Sequence, residues 1–364
     1  MVKKKILKLV PSPSAKGGIS NYYQVLQGNY NVEVEYFIRG ARDWPNRKGS
    51  IYEIVRAYFD LIHFCLKLMT QKYYVVQTTT SLGFLALIRD GLFVIVAKLF
   101  RVKVVVFFRG LDEKIQKNIE KKWLTLFKKV FFLSDSMIVL SSQFKEKLEY
   151  WGYNRPIYLE TTVVDEQLVR DIATENIIHK FETIGNRINI LFLARVEKTK
   201  GIYEAIDSYN ILKQKYPEVS FTLAGDGFEL NHVKDYVAEN CIKNIVFTGF
   251  VTGKAKKNIF KKSHIYLFPS YTEGMPTSVL EAMAFGLPVV TTNVGGLADF
   301  FINGEHGFIT ESKDPVVLAG LIDVLIKDKK ALKKIALHNH KYAIENFTTS
   351  KVIERLEEIF RTLL

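Results

Sequence analysis

The sequence predicts an α/β protein built from two Rossmann-like domains, each containing a parallel sheet. The chain has 364 residues, of which 48% are hydrophobic, and this length exceeds the size at which one core keeps growing. Short apolar runs rich in β-branched residues alternate with helical segments along the chain. The runs are continuously apolar, which is typical of strands buried on both faces of a parallel sheet.

Ten of these strand-like runs are recognisable, and they fall into two series. The first series is KKILKLV, VEVEYFI, YYVVQT, KVVVFF and SMIVLSS. After Ile188 the rhythm restarts with INILFLA, VSFTLAG, NIVFTGF, IYLFPS and PVVTT. We therefore predict a first domain over residues 1–170 and a second over 171–345. A final amphipathic helix over 346–364 should pack back on the first domain.

Ligands of open parallel sheets bind beyond the carboxyl ends of the strands. We therefore expect the two domains to face each other across a cleft that holds the ligand, and we look for binding residues in the turns that follow strands.

The net charge of +13 is concentrated in the first half of the chain. Residues 1–170 hold 27 Lys and Arg against 15 Asp and Glu, whereas the remainder holds 24 against 23. This asymmetry leaves a nucleic acid, a membrane surface or a phosphorylated ligand open as the partner of the first half. Because the sequence has no aromatic-rich basic motif, we expect no nucleic acid partner.

Cysteine content and hydropathy bear on localisation. Cys65 and Cys241 are too few for a disulfide framework, which favours a reducing compartment. The most apolar window, residues 83–100, contains Arg89, Asp90 and Lys98, too many charges for a membrane-spanning helix. We expect a cytoplasmic protein without a cleaved leader.

The stretch SYTEGMPTSVLEAMAFGLPVVTTNVGG, residues 270–296, contains two glutamates eight positions apart, Glu273 and Glu281. Pro276 suits the start of a helix, and Gly286 suits its end. The positive end of such a helix favours a phosphate group, and a carboxylate can accept both hydroxyl hydrogens of a ribose. Together these features fit a ligand composed of a sugar, a diphosphate and a nucleoside.

Several motifs in a fixed order resemble those of glycosyltransferase family 4. They are SAKGGIS near the start, ARVEKTKGI, LAGDGFE, the two glutamates, and VTTNVGGLADF. The resemblance implies a GT-B fold and a retaining, metal-independent transferase, and the sequence has no D-x-D motif. It implies a UDP- or GDP-linked sugar as donor substrate, no other cofactor, and a glycan or lipid-linked acceptor, with a role in cell-surface polysaccharide synthesis.

The resemblance also implies roles for individual residues. Arg195 and Lys200 would hold the donor diphosphate and stabilise the leaving group, Glu281 would bind the ribose, and Glu273 would lie near the transferred sugar. The remaining substrate-binding residues implied are Gly17, Gly18, Phe250, Val251, Gly274, Met275, Pro276, Thr277 and Ser278.

One motif departs from the family pattern. Many members carry a His followed by Gly after the fourth strand, but here VVVFFRGLDEK places Arg109 before Gly110. Arg109 can serve as a further cation for a phosphate or an anionic sugar, with a salt bridge inside the first domain as the alternative. Asp112 can receive a substrate hydroxyl. The departure leaves open a catalytically silent GT-B partner subunit that binds nucleotide sugar.

The segment after residue 113 predicts an amphipathic helix. Its apolar side is Ile115, Ile119, Trp123, Leu126, Phe127 and Val130, and its basic side is Lys114, Lys117, Lys121, Lys122, Lys128 and Lys129. In one interpretation the apolar side simply packs on the first sheet. In the other, the lysines or an exposed apolar edge near Trp123 and Phe127 hold the protein against anionic lipid at the inner face of the cell membrane.

Overall fold

The computed structural model describes residues 5–15, 17–40, 50–81, 83–110, 113–185 and 187–363. It divides into two compact units. The first unit comprises Met1–Val163 together with Thr349–Leu364, and the second comprises Val164–Thr348. The sequence places the corresponding boundaries at residues 170 and 345.

The first unit contains a six-stranded sheet of parallel strands in the order β2-β1-β3-β4-β5-β6. The strands are β1 (Ile6–Val10), β2 (Val34–Ile38), β3 (Val75–Thr80), β4 (Lys103–Phe108), β5 (Ser136–Val139) and β6 (Ile157–Leu159). The helices are α1 (Gly18–Leu26), α2 (Ser50–Thr70), α3 (Phe84–Leu99), α4 (Glu113–Asn118), α5 (Leu124–Phe131) and α6 (Ser142–Tyr150). A π-helical turn over Ile119–Trp123 joins α4 to α5.

Aromatic side chains fill the core between the first sheet and its helices. The ring of Phe108, at the end of β4, lies 5.9 Å from Phe127 and 5.5 Å from Phe131 on α5, and 5.4 Å from Phe144 on α6. These contacts pack the apolar side of α5 against the sheet. Because the π turn holds an extra residue, the predicted helix does not continue with one α-helical register through Trp123.

The second unit repeats the plan with a parallel sheet in the order β12-β11-β10-β7-β8-β9. Its strands are β7 (Asn189–Leu193), β8 (Ser220–Ala224), β9 (Ile245–Gly249), β10 (Ile265–Phe268), β11 (Val289–Thr292) and β12 (Gly307–Thr310). Its helices are α7 (Glu166–Val169), α8 (Thr174–Glu182), α9 (Ile202–Lys215), α10 (Leu230–Glu239), α11 (Gly253–Lys262), α12 (Thr277–Ala284), α13 (Pro315–Lys327) and α14 (Lys329–Phe347).

The last helix, α15 (Thr349–Arg361), belongs to the first unit. It buries the apolar side chains of Val352, Leu356 and Phe360, and its Arg355 forms an ion pair of 2.5 Å with the buried Glu160. The second unit is thus inserted into the first. Its two ends meet at the junction, where the Val164 amide donates to the Phe347 carbonyl over 2.8 Å.

The α/β fold class is confirmed: the chain forms two parallel sheets covered by helices. Two strands were not predicted, β6 and β12. Both lie at the edge of a sheet and have only three and four residues.

Candidate functional site

Most of the predicted site residues lie in loops that leave the carboxyl edge of the second sheet. All six strands of this sheet are parallel, so the loops after them emerge at one edge. These loops begin at Ala194, Gly225, Phe250, Pro269 and Asn293. The distances between these loops depend on glycines, which allow backbone segments to approach closely.

Gly201 brings the loop after β7 against the loop after β10. Its backbone is left-handed, with φ 72°, and an added Cβ would lie 2.0 Å from the Pro269 carbonyl oxygen. The adjacent Lys200 reaches the second loop, where its Nζ lies 2.7 Å from Glu273 Oε1. Ser270 Oγ donates to the same carboxylate oxygen over 3.1 Å. The structure therefore pairs two predicted catalytic residues, and only 14% of the Lys200 side chain and 15% of the Glu273 side chain remain exposed.

The GDG and NVGG motifs also have packing roles at this edge. A Cβ on Gly225 would lie 1.8 Å from the Ala194 carbonyl oxygen, and one on Gly295 would lie 2.2 Å from that of Gly274. The Gly296 amide donates to the Gly274 carbonyl over 2.8 Å. The carbonyl oxygen of Gly274 is therefore engaged with the loop after β11.

Helix α12 begins and ends as the sequence predicts. Pro276 is its N-cap residue, and Gly286 follows its end in the left-handed conformation, with φ 68°. Glu281 is almost fully buried on this helix, and its Oε1 lies 2.5 Å from Nζ of Lys256 on α11. Thr277 opens α12 one turn before Glu281, and Met275 before it is buried.

Tyr266 of β10 holds Ser278 through a hydrogen bond. The Tyr266 hydroxyl lies 2.7 Å from Ser278 Oγ and 2.8 Å from the Leu193 carbonyl oxygen. Burial raises the pKa of Tyr266 well above its usual value, and the Glu281 and Glu273 carboxylates raise it further. The phenol therefore stays protonated and can donate one of these hydrogen bonds throughout the ordinary pH range.

Arg195 and the residues after β9 lie at more open positions of the same edge. The Arg195 side chain is 69% exposed and forms an ion pair with Glu197 over 2.9 Å. Phe250 is 60% exposed, and Val251 is partly buried. The structure thus brings Lys200 and Glu273 together, whereas the ion pair of Arg195 lies outside that cluster.

The remaining predicted residues belong to the first unit. Gly17 and Gly18 begin α1, and a Cβ on either would meet no described atom within 4 Å. Neighbouring described atoms therefore leave room for a side chain at both positions, and at Gly17 the backbone φ of 159° favours glycine. Asp112 lies outside the described residues.

Arg109 is buried beside α1. Its guanidinium carbon lies 3.8 Å from the centre of the Tyr22 ring and 4.7 Å from that of Phe107. Its Nε and Nη1 have no hydrogen-bond partner within the described parts of the chain. Contact with two aromatic rings holds this side chain, and among the described residues it forms no salt bridge.

Sequence reasoning missed Lys256 and the supporting roles of Gly201 and Ser270. A lysine-rich helix start such as TGKAKKN gives no sign of which lysine turns inward, so Lys256 was not identifiable. Gly201 was detectable in principle, because a glycine directly after the basic KTK turn is typical of a left-handed residue before a helix.

The whole architecture matches that of solved GT-B glycosyltransferases. Sucrose-phosphate synthase from Thermosynechococcus elongatus superposes with a TM-score of 0.75 at 18% identity, covering 99% of both chains. HepE of Anabaena, solved in complex with UDP, superposes with a TM-score of 0.75 at 17% identity, covering 98% of this chain and 100% of that one. The fold is therefore GT-B.

The sequence of the second unit is similar to that of known glycosyltransferases. Residues 174–342 match the family model described as glycosyl transferases group 1. The capsular polysaccharide biosynthesis glycosyltransferase CapM of Staphylococcus aureus is 29% identical over 273 residues, which are 70% of this chain and 69% of CapM. The chain spans 66% and 43% of the next two curated relatives. The second unit is therefore similar to group 1 glycosyl transferases, and the chain has a GT-B fold.

Proposed function

We propose that the protein transfers a sugar from a nucleoside diphosphate sugar to a glycan or lipid-linked acceptor, with retention of the anomeric configuration. The observation that carries this proposal is the Lys200–Glu273 pair, set at the carboxyl edge of a parallel sheet beside the start of α12. A cation, a carboxylate and the positive end of a helix are the groups that a sugar diphosphate needs.

The bond that breaks joins the anomeric carbon of the sugar to the diphosphate oxygen. Lys200, with Arg195 on the same loop, would stabilise the negative charge that develops on the departing diphosphate. The acceptor oxygen would form its bond to the anomeric carbon on the same face. Its proton would pass to a departing phosphate oxygen, so the transfer needs no strong base from the protein.

The donor would be held by three sets of residues. Glu281 would bind the ribose, the Phe250–Val251 segment the base, and the backbone of residues 274–278 the sugar and phosphates. HepE is solved with UDP and with UDP-glucose, which favours a UDP-linked donor. We infer that Lys200, Arg195 and the positive end of α12 stabilise the departing diphosphate without a metal ion. Chelation with EDTA should therefore leave the rate unchanged.

The acceptor is inferred from the relatives and from charge. CapM takes part in capsular polysaccharide biosynthesis by its name, and this favours cell-surface polysaccharide synthesis for this protein as well. The basic first half of the chain would hold the enzyme against the anionic inner face of the cell membrane.

A thermal-shift screen against UDP-, GDP- and ADP-sugars tests the donor. A ligand at about 100 times its dissociation constant stabilises a protein by about 2.7 kcal/mol, so the true donor should stand out. Release of nucleotide and of free or transferred sugar then tests catalysis, and the anomeric configuration of the product by NMR tests retention. Binding of a donor without any turnover would instead support the catalytically silent partner subunit.

A further inference from the structure

Helix α2 presents apolar side chains to solvent along most of its length. Between residues 52 and 70 every exposed side chain is apolar except His63 and Thr70. The most exposed are Ile54, Tyr58, Phe59, Leu66 and Met69, each more than half exposed. A surface helix normally turns its charged residues outward, so α2 has the opposite arrangement.

The charged residues of α2 are turned away from this stripe. Glu53 pairs with Arg56 on the same helix over 3.7 Å, and Arg56 is only 10% exposed. The buried Asp60 accepts the Gly40 amide over 2.9 Å, and Lys67 pairs with Glu35 of β2. Among the described side chains of α2, the outer face thus carries no charge, because Glu53 and Arg56 pair with each other while Asp60 and Lys67 have partners elsewhere in the first unit.

Helix α3 and the π turn extend the apolar surface. Helix α3 contacts both α2 and α5, and its exposed residues Leu85, Ile88, Leu92 and Leu99 are all apolar. Ile88 and Leu92 line a recess of about 470 Å³ together with Trp123 and Leu126, which are themselves 43% and 52% exposed. We call α2, α3 and this recess the apolar face.

A basic segment borders the recess. Residues 113–131 contain six lysines and two acidic residues. One of those acids, Glu120, pairs with Lys147. Lys117, Lys121, Lys122 and Lys129 are exposed, and Lys122 also lines the recess. Apolar side chains beside lysines and a half-exposed tryptophan form the pattern of an element that lies in a membrane interface.

We propose that the apolar face docks in the plane of an anionic lipid bilayer, with α2 and α3 inserted among the lipids and the lysines on the headgroups. Charge favours a bilayer over a second copy of the chain, because a symmetric dimer would bring two identical lysine segments together. Within the described residues no helix is long and apolar enough to cross a bilayer. The inference rests on the proposed function only for the idea that the acceptor is at a membrane.

Flotation of the full chain with phosphatidylcholine vesicles, with and without 30% phosphatidylglycerol, tests this surface without any sugar substrate. We expect binding to the anionic vesicles, with a blue shift of tryptophan emission. The Phe59→Asp/Leu66→Asp variant should reduce partitioning at least about tenfold, because two inserted side chains are lost. The Val316→Asp/Val324→Asp variant is the matched control, since both valines are more than half exposed on α13 of the second unit.

A second variant separates insertion from charge. Changing Lys121, Lys122, Lys128 and Lys129 to Gln should remove the salt-sensitive part of the binding and leave the apolar part. The docking surface is wrong if wild-type protein stays in solution with both vesicles, or if the α2 variant binds as wild type. It is also wrong if light scattering shows a dimer that the α2 variant dissociates.

Folding and donor binding are measured separately in each variant. Circular dichroism and nucleotide affinity should be unchanged in the α2 variant, since both substituted side chains are exposed. Vesicle binding by a protein that shows no sugar transfer would refute the proposed function and leave the docking surface intact. Transfer to a soluble acceptor by a protein that does not bind vesicles would refute the docking surface and leave the proposed sugar transfer intact.

Discussion

The two longest described helices, α2 in the first unit and α14 in the second, have 21 and 19 residues and opposite surfaces. The exposed residues of α2 are apolar apart from His63 and Thr70. The exposed residues of α14 are all charged, namely Lys329, Lys330, Lys334, Lys341 and Glu345. Both helices belong to units built on a parallel sheet, so the shared architecture does not determine what each outer face meets. The outer face of α2 suits the bilayer proposed above, whereas the outer face of α14 suits water.

The largest expected effect that separates the two units is a loss of turnover on changing Lys200 of the second unit. Lys200→Ala should lower the rate of nucleotide release at least about 100-fold, as does the loss of one preorganised electrostatic donor elsewhere. Vesicle binding should be unchanged, because Lys200 belongs to the second unit. Lys198→Ala is the control on the same loop, since that side chain is 73% exposed and its nearest acidic oxygen is 4.0 Å away. Normal turnover of Lys200→Ala would remove this residue from the site.

The next effect concerns affinity rather than rate. Glu281→Gln and Lys256→Ala should each weaken binding of the plain nucleoside diphosphate roughly tenfold or more, because a buried charged hydrogen bond loses one partner. Lys256 acts here as a positioning residue that holds one oxygen of Glu281. Glu273→Gln should bind the nucleotide normally and transfer sugar slowly.

Calorimetry decides these assignments. Lys257→Ala is the matched control for Lys256, because Lys257 lies next in the chain and pairs with the exposed Asp171 over 2.7 Å. Equal weakening of nucleotide affinity by the Glu273 and Glu281 changes would show that the two glutamates are wrongly assigned. Equal weakening by the two lysine changes would show a general charge effect.

A smaller effect distinguishes the pH dependence of the two units. His264 of the second unit accepts the Asn189 amide at Nδ1 over 3.0 Å, and burial lowers its pKa to about 3. The unfolded chain takes up a proton near pH 6.5 and the folded chain does not, so stability should fall as the pH drops from 6.5 towards 3. In the first unit burial lowers the pKa of Lys8 below its ordinary value of 10.5, so the contribution of Lys8 to stability should rise as the pH increases towards 10.5.

Urea unfolding at pH 7.5 and 5.5 measures the acidic part. His264→Gln keeps a hydrogen-bond acceptor and should remove on the order of 1 kcal/mol of the stability difference between the two pH values. An unchanged difference in the variant would mean that folding does not lower the pKa of the imidazole.

The smallest expected effect concerns stability in the absence of lipid. Phe59→Lys on α2 and Lys334→Leu on α14 exchange the two surface types at single exposed positions. Each should change the free energy of unfolding by less than about 0.5 kcal/mol, as for most surface substitutions. A large destabilisation by Phe59→Lys would mean that this side chain packs against the protein, which would break the contrast.

Residue patterns predicted the sheets and the start and end of α12 because these features depend on local sequence. Continuous apolar runs marked ten of the twelve strands, and the glycine after α12 marked its end. Of the apolar face, only the exposed edge near Trp123 was predicted, and Phe127 beside it is buried. The exposed sides of α2 and α3 were not predicted, because hydrophobic periodicity shows that a helix has an apolar side but not whether that side faces inward. In α2 the deciding facts are the partners of Asp60 and Lys67, which come from distant parts of the chain.

Lys200 and Glu273 were predicted as candidate catalytic residues, but their contact with each other was not. The order of motifs indicated Lys200 and Glu273, and their contact depends on Gly201 and Pro269, which the sequence separates by 68 positions. The stacking of Arg109 on Tyr22 likewise needed the tertiary structure, since a sequence shows only that a cation follows a strand.

Helix α15 has a consequence for the order in which the protein is made. It follows the whole second unit in the chain, so it leaves the ribosome only after that unit has been synthesised. Until then the first unit lacks the buried side chains of Val352, Leu356 and Phe360. Glu160 also lacks its ion-pair partner Arg355. Nascent chains that stop at residue 348 should therefore contain a protease-resistant second unit and a protease-sensitive first one, with the later domain in the sequence completed earlier.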